Sequence, residues 1–437
     1  MNARAHLEGK KITVMGLGLL GRGVGDARYL AEQGAELIIT DLKTKEELSS
    51  SLQQLSGFPN ITYVLGEHRL EDFQNRDFIL KAAGVPLDSP YIQEAEKHHI
   101  SIKMSASWFM ELSGIPVIGV TGTRGKSTTT HMIHSILMAA RVPVLLGGNV
   151  RGVSTLALLD EATPQHHALF ELDSWQCQGF GNEKMSPQIA VFTTFMPDHM
   201  NYYKDDMEVY LRDKANIFLY QKPDDTLVLG SQCAEVVQDS YSERMVGKTV
   251  VASEHDVPDD WQLKIPGQHN RYDAGLALAT ARVLGIPDTV SRSALETFAG
   301  VPGRLELVRT VNGVDFYNDT TATTPDATLA ALRALPAGRT ILLMGGADKG
   351  LNMTELIREI PTLTKQVLLL QGTGTSRIRT ELPSAPVYET MQAALTAAVE
   401  TAEDADPVLL SHAFASFGMF KNEYDRGDQF TAIVEAL

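Results

Sequence analysis

Hydrophobic positions along the chain fall into short apolar runs, each closed by glycine or a turn cluster and followed by a stretch with helical spacing. Residues 11–15 (KITVM), 36–40, 62–64, 78–81 and 100–103 read as strands, with VGDARYLAEQG (ending at Gly34) and SPYIQEAEKHH as helices between them. A second series follows: 116–120, the PVLLGG run before Asn149, 168–172 and 188–194 read as strands. DMEVYLRDKANIFLY places Met207, Tyr210, Leu211 and Ile217 on one helical face, and the alanine-rich YDAGLALATARVLG is a helix stopping at Gly285. A third series has strands at 314–318, 340–344, 366–370 and 407–410, with helices at ATTPDATLAALRAL and around 393–402. Such alternation predicts mostly parallel sheets with their functional loops at one edge.

Two of these strands run into glycine-rich turns that change the picture from fold to chemistry. After 116–120 comes TGTRGKSTT, where Gly122 and Gly125 let the backbone turn tightly against a ligand and a helix begins with free N–H groups. Here Lys126 suits the β- and γ-phosphates of a nucleotide, and the hydroxyl of Ser127 or Thr128 suits magnesium. The strict G-x-x-x-x-G-K-[ST] spacing is not met, because position 120 is Val, so the loop is a variant. After 11–15 comes Gly16-Leu17-Gly18-Leu19-Leu20-Gly21, with Asp41 twenty residues further on. That is the dinucleotide-binding fingerprint, in which a pyrophosphate meets a helix N-terminus and the acid meets a ribose hydroxyl. It specifies pyrophosphate more securely than nicotinamide, and Asp41 can also be read as a plain strand-end acid. The predicted fold class is therefore α/β with three domains. A Rossmann-like domain spans 1–104, a central P-loop ATPase-type α/β domain 105–300 and a Rossmann-like domain 301–437, with Val301-Pro302-Gly303-Arg304 as the last hinge.

Further candidates sit at predicted strand ends. Glu171 closes a strand beside the phosphate loop, where a magnesium carboxylate belongs. His199, in Pro197-Asp198-His199-Met200, reads equally as a metal ligand or a polar loop residue, and Lys214 by itself as an exposed lysine paired with Asp213 or Glu208. Composition narrows the class. Forty-three per cent hydrophobic and 21 per cent charged over 437 residues describes an ordinary globular protein, so disordered and fibrous classes are excluded. A net charge of 38 − 54 = −16 argues against a general nucleic-acid or membrane-surface binder. Two cysteines in no metal-like spacing, no leader pattern and no bilayer-length apolar run place the expected protein in the cytoplasm; a monomer is the expected state, although nothing in these features sets it.

Taken together and in order, TGTRGKSTT, ELDSWQ, DHMNYY, DKANIF, GQHNRYDAG, PGRLE, NDTTATTPDA, GGADKG and HAFASFGMFKNEYDRG resemble the Mur ligase family of peptidoglycan synthesis, most closely its D-glutamate-adding branch. The resemblance spans nearly the whole chain. It implies an ATP-dependent ligase that joins D-glutamate to UDP-N-acetylmuramoyl-L-alanine through an acyl phosphate, with ATP, two magnesium ions and a carbamylated lysine at Lys214. By the resemblance Gly122, Thr123, Gly125, Lys126, Ser127, Thr128, Asn270, Arg304 and Asp319 bind ATP, and Lys126, Glu171, His199 and Lys214 are catalytic. Ser127, Glu171, His199 and Lys214 serve the metal; Leu19, Leu20, Asp41, Gly84 and Asn149 hold the UDP end; and Thr323, Lys349, Ser416 and Tyr424 hold the acceptor.

The chain departs from the family pattern at several positions. Arg124 stands where Asn is usual, a change expected to matter little, while Asp173 replaces a usual Ser, Thr321 a usual Lys and Glu423 a usual aromatic, with Tyr424 adjacent. His412, Phe414 and Gly418 alter the last motif. A lost lysine and added acids lower complementarity to a dicarboxylic acceptor. Competing readings are a family relative with another acceptor, a folylpolyglutamate-synthetase-like ligase, an NAD-dependent oxidoreductase built on residues 16–41, and a non-catalytic nucleotide-binding scaffold.

Overall fold

The computed structural model describes residues 3–18 and 21–437. Seventeen strands form three sheets among these residues. The first contains β1 (Lys11–Met15), β2 (Glu36–Asp41), β3 (Ile61–Leu65), β4 (Phe78–Lys81) and β5 (Ser101–Lys103), in the all-parallel order β3-β2-β1-β4-β5. The second contains β6 (Val117–Thr121), β7 (Val144–Gly148), β8 (His167–Glu171), β9 (Ile189–Phe192), β10 (Thr226–Gly230) and β11 (Lys248–Ala252). Its order is β11-β10-β9-β6-β8-β7, again parallel throughout.

The third contains β12 (Glu306–Val311), β13 (Val314–Asn318), β14 (Thr340–Gly345), β15 (Thr364–Leu370), β16 (Val387–Tyr388) and β17 (Pro407–Leu410), ordered β12-β13-β17-β14-β15-β16. Only the edge pair β12 and β13 is antiparallel. Strands β10 and β11, TLVLG and KTVVA, were not among the predicted elements, and the helix Met207–Ala215 ends before the apolar pattern does.

The strand orders explain where ligands can go. In an open parallel sheet a crevice forms where the winding direction reverses. In the first sheet that reversal separates β1 from β4, so Gly16–Gly18 after β1 and the Ala82–Val85 turn after β4 face the same crevice. In the second it falls at β6, flanked by β9 and β8, the strand that feeds the phosphate loop. In the third, β17 lies between β13 and β14, which brings the loops after all three to one edge.

The chain divides into two compact units, Met1–Pro258 with Asp273–Ala294, and Asp259–Tyr272 with Leu295–Leu437. Inside the first unit one apolar core runs from Leu7 and Ile12 through Trp108, Phe109 and Phe170 to Phe192 and Phe218. Burying each such side chain stabilises the fold by about 1.5–3 kcal/mol relative to exposure. Polar ties cross the same unit. Asp26, on helix Arg22–Glu32, is buried and accepts from Ser105, from Ser154 Oγ at 2.6 Å and from Leu156 N at 3.1 Å. Burial raises its carboxyl pKa, and these bonds hold the charged form against that rise. Gly25 makes the approach possible, since a Cβ there would come within 2.5 Å of Ser154 Cβ. Among the described residues no helix is long and apolar enough to cross a membrane.

Candidate active site at two glycine loops

The phosphate loop and its surroundings are tightly specified. Gly122 has φ +145 and a Cβ there would meet Thr193 Oγ1 at 2.0 Å; Gly125, with φ +84, would meet Asp273 Oδ1 at 2.3 Å. Only glycine fits either place. Helix Lys126–Ala139 starts at once, with Gly125 as a left-handed N-cap, so its first N–H groups and the Lys126 side chain share the loop. Lys126 Nζ lies 3.0 Å from Gly122 O and 3.2 Å from Thr123 O. Thr123 Oγ1 reaches Met196 O at 3.1 Å, and Ser127 and Thr128 are buried in the first helical turn. Arg124 corrects the expectation that it matters little. Its N–H donates to Thr194 Oγ1 at 2.8 Å and its guanidinium pairs with Asp198 at 2.7 Å, fixing the His199 segment to the loop and pulling the Asp198 carboxyl down to about 2.

Glu171 is buried at the end of β8, opposite Val120 in the strand register and so one turn from the phosphate loop. Its Oε1 accepts from Asn149 Nδ2 at 3.2 Å, and its backbone O accepts from Asn149 N at 2.7 Å. His199 takes a left-handed φ of 55 and packs against Trp175 with the rings tilted by 50° and their centroids 4.7 Å apart. Burial lowers its pKa, opposed by Asp198 and reinforced by the Lys126 and Lys214 charges, which places the imidazole in the field of the loop.

Lys214 is where the isolated reading fails most clearly. It is not an exposed lysine paired with Asp213 or Glu208: it is 1% exposed and its Nζ donates to Gly122 O at 2.8 Å. Asp213 bonds to Gln178 and Tyr203 instead. Burial first, and then the neighbouring Lys126 charge, bring the Lys214 ammonium down to about 7, so a large fraction is a neutral amine near neutral pH. Asp173 has a structural task as well. It caps helix Ser174–Asn182 in a reciprocal box with Gln176, at 2.7 and 3.1 Å, and its charge faces Lys81 and Lys214.

Around these groups the donor set suits a hard divalent cation bound with a nucleotide: one carboxylate at Glu171, hydroxyls at Ser127 and Thr128, and a lysine whose neutral amine can become carboxylate-like. Among the described residues no three His, Cys, Asp or Glu side chains gather into a metal cage. Magnesium needs none, since it keeps waters and phosphate oxygens in its octahedron.

A cavity of about 390 Å³ opens at the first sheet's reversal, lined by Gly16, Arg22, Asp41, Lys81 and Gly84 among others. Asp41 lines this cavity and is engaged by backbone amides rather than idle at the strand end. Its Oδ2 accepts from Leu17 N at 2.9 Å and Gly18 N at 3.2 Å, and its Oδ1 accepts from Lys43 N at 2.9 Å, so it shapes the turn itself. Lys81 is buried under the Ala82–Val85 turn, donating to Val85 O at 2.7 Å, and desolvation lowers it to about 8. Leu19 and Leu20 lie outside the described residues. The spacing of G-x-G-x-x-G located this cavity; nothing local pointed to Arg22 or Lys81.

The remaining candidates belong to the second compact unit. Asn270 is buried at the start of helix Gln268–Val283 and donates to Pro266 O. Asp319 has both oxygens engaged, by Leu305 N at 3.1 Å and Ser411 Oγ at 2.8 Å. Leu305 has a left-handed φ of 44, so Asp319 holds the strained residue directly after Arg304. Burial pushes the Asp319 carboxyl up to about 7. Thr321 turns inward, its Oγ1 donating to Gly303 O at 2.9 Å in the same turn. Lys349 Nζ donates to Thr323 Oγ1 at 3.0 Å, and Ala347 pairs with Ala415 across the two loops, setting Ser416 beside them. Tyr424 lies in the first turn of helix Glu423–Glu435. Thr323, Lys349 and Ser416 thus come from the loops that this sheet gathers at one edge.

Three stretches of the chain match known domain families. Residues 10–103 match the Mur ligase MurD-like N-terminal domain, 120–274 the Mur ligase middle domain and 303–414 the Mur ligase glutamate ligase domain. A UDP-N-acetylmuramoylalanine–D-glutamate ligase of Roseiflexus sp. (strain RS-1) is 37% identical over 470 residues, covering 99% of this chain and 100% of that protein. Among solved structures, the UDP-N-acetylmuramate-alanine ligase MurC of Thermotoga maritima has a TM-score of 0.63 at 19% identity, covering 98% and 99% of the two chains. The MurF ligase of Thermotoga maritima in complex with ADP has a TM-score of 0.61 at 16% identity, covering 99% and 96%.

Proposed function

The chain belongs to the Mur ligase family, with its three α/β domains, and from that premise we propose that it adds D-glutamate to UDP-N-acetylmuramoyl-L-alanine with ATP, releasing ADP and phosphate. The relative named for this reaction matches end to end, and the nicotinamide reading of Gly16–Gly21 has no support among the matches. The observation that carries the mechanism is Lys214, buried against Gly122 O beside Lys126 at the end of the strand facing Glu171.

In this reading domain boundaries fall at 104/105 and 300/301. The UDP end occupies the cavity at Gly16, Asp41 and Gly84, with Asn149 between it and Glu171. Lys126 and the Gly122–Thr128 backbone hold the triphosphate, Asn270 serves the adenine, and Arg304, steadied by Asp319, closes on the nucleotide. Thr323, Lys349, Ser416 and Tyr424 receive the acceptor. The neutral Lys214 amine adds to carbon dioxide and loses a proton, giving a carbamate in place of a cation. Ser127, Glu171, His199 and that carbamate would hold magnesium, which would supply charge stabilisation to the phosphates when bound.

Lys126 and Arg304 then offset charge as the γ-phosphoryl passes to the substrate carboxylate. The acceptor amine attacks the resulting acyl phosphate, the tetrahedral intermediate collapses and phosphate leaves, with water kept out of the site. We place this work in the cytoplasm, in a monomer acting in peptidoglycan precursor synthesis. The test is product mass from ATP and UDP-N-acetylmuramoyl-L-alanine with D-glutamate, L-glutamate, D-aspartate, L-lysine or meso-diaminopimelate. A ligated product with D-glutamate alone is expected; turnover with another acceptor moves the assignment to a different branch of the family.

A further inference from the structure

Arg22 is absent from every role assigned so far, yet it stands between the two glycine loops. It opens helix Arg22–Glu32, whose N-cap is Gly21 with φ 84, and it lines the first cavity. Its NH1 donates to Asn149 Oδ1. An amide whose oxygen is held from one side must offer its nitrogen to the other, and Asn149 Nδ2 donates to Glu171 Oε1 at 3.2 Å. The backbone makes this register rigid: Asn149 N donates to Glu171 O at 2.7 Å, and Gly148, at φ +81, has room for no Cβ because Glu171 O would lie 2.2 Å away. Guanidinium, amide and carboxylate therefore form one chain of hydrogen bonds from the first cavity to the edge of the phosphate loop.

Arg22 has donors left over. Among the described residues its Nε and NH2 donate to nothing, and the planar fork of a guanidinium suits phosphate oxygens while NH1 stays on Asn149. Charge alone would not need this arrangement. A lysine at the helix start would attract a diphosphate as well, but a point charge cannot grip two partners in a fixed plane.

We propose that Arg22 clamps the diphosphate of the nucleotide-linked substrate and, through Asn149, sets the Glu171 carboxylate, so that filling the first cavity tightens magnesium-nucleotide binding at the second loop. This rests on the ligase reading of both sites. Without the diphosphate, the guanidinium is held from one side alone, by NH1 on Asn149 Oδ1. Once the fork is fixed from both sides, the carboxylate is presented in a single orientation. Linkage requires the effect to be reciprocal: Mg·ADP must tighten the UDP ligand by the same factor.

The experiment is calorimetric titration of the full chain with Mg·ADP, alone and with saturating UDP-N-acetylmuramoyl-L-alanine, for the wild type, Arg22→Lys, Arg22→Met and Asn149→Leu. In the wild type the UDP ligand should tighten Mg·ADP about tenfold, within the usual range for coupled sites. Arg22→Lys should keep most of the UDP-ligand affinity and Arg22→Met should lose much of it. Both should reduce the coupling to less than about twofold while leaving Mg·ADP affinity alone nearly unchanged. Asn149→Leu, which cuts the chain beyond Arg22, should also lose the coupling. General damage to the fold would instead weaken both ligands together. Coupling retained in Arg22→Lys and Arg22→Met, or absent from the wild type, overturns the Arg22 role. A wild type that binds neither ligand overturns the ligase reading itself.

Discussion

The same device occurs twice in the first unit, and its two copies differ in what surrounds them. Each is a parallel strand, a glycine turn and a helix whose N-cap glycine has φ 84, with ψ −21 at Gly21 and −14 at Gly125. Each helix then begins with a cation, Arg22 or Lys126. In the first copy an acid, Asp41, holds the turn amides of Leu17 and Gly18, and at Gly21 an added Cβ would meet, among the described residues, Gly152 Cα at 3.7 Å and nothing closer. In the second, a buried lysine reaches into the turn and every glycine is walled in by Thr193 or Asp273. A backbone motif fixes where an anion can sit; the side chains behind it decide how much charge it is built to hold.

Four substitutions sharpen that contrast. Lys126→Ala should lower ATP-dependent phosphate release by about 10²–10³-fold or more, measured with both substrates saturating, because a cation aimed at the transferring phosphoryl is lost. Next in size, Gly125→Ala and Gly21→Ala share one backbone conformation and should differ in outcome. Both bear the ~1–2 kcal/mol cost of a left-handed residue. Only Gly125→Ala adds the overlap with Asp273, so its denaturant midpoint should fall further, and equal losses would mean that the wall around the second loop yields freely. Asp41→Asn should act on the first loop alone, raising KM for the UDP substrate roughly tenfold with little change in kcat, since one acceptor for the turn amides is weakened.

The smallest effect concerns pH. Lys214 falls to about 7 in the folded chain from an ordinary 10.5. Across that window the unfolded chain carries a proton the folded chain lacks, so stability contributed by this group rises with pH and is least below pH 7. Melting followed from pH 7 to 9 in bicarbonate-free buffer should show Lys214→Met with the shallower rise.

Much of this was legible from local pattern. The strands leading to both loops, the turns themselves and Glu171 at its strand end lie where the periodicity puts them, because each is specified by a run of a few residues. What could not be read depends on partners far along the chain. Lys214 is buried against a carbonyl 92 residues away, and Arg22 reaches Asn149 across 127. Asp173 and Thr321 looked like departures that weaken the acceptor site; the first is a helix cap and the second secures the Gly303 turn, roles that only tertiary contact reveals. The strands β10 and β11 escaped because their short apolar runs carry no motif and fit helix or strand alike.

The most direct test of the account follows oxygen. UDP-N-acetylmuramoyl-L-alanine labelled with ¹⁸O in its free carboxylate is turned over with ATP and D-glutamate, and the released phosphate is analysed by mass. If the carboxylate is activated as an acyl phosphate at the Lys126 loop, each phosphate released carries one labelled oxygen alongside a ligated product. Product formed with unlabelled phosphate, or labelled phosphate with no ligated product, would contradict the account.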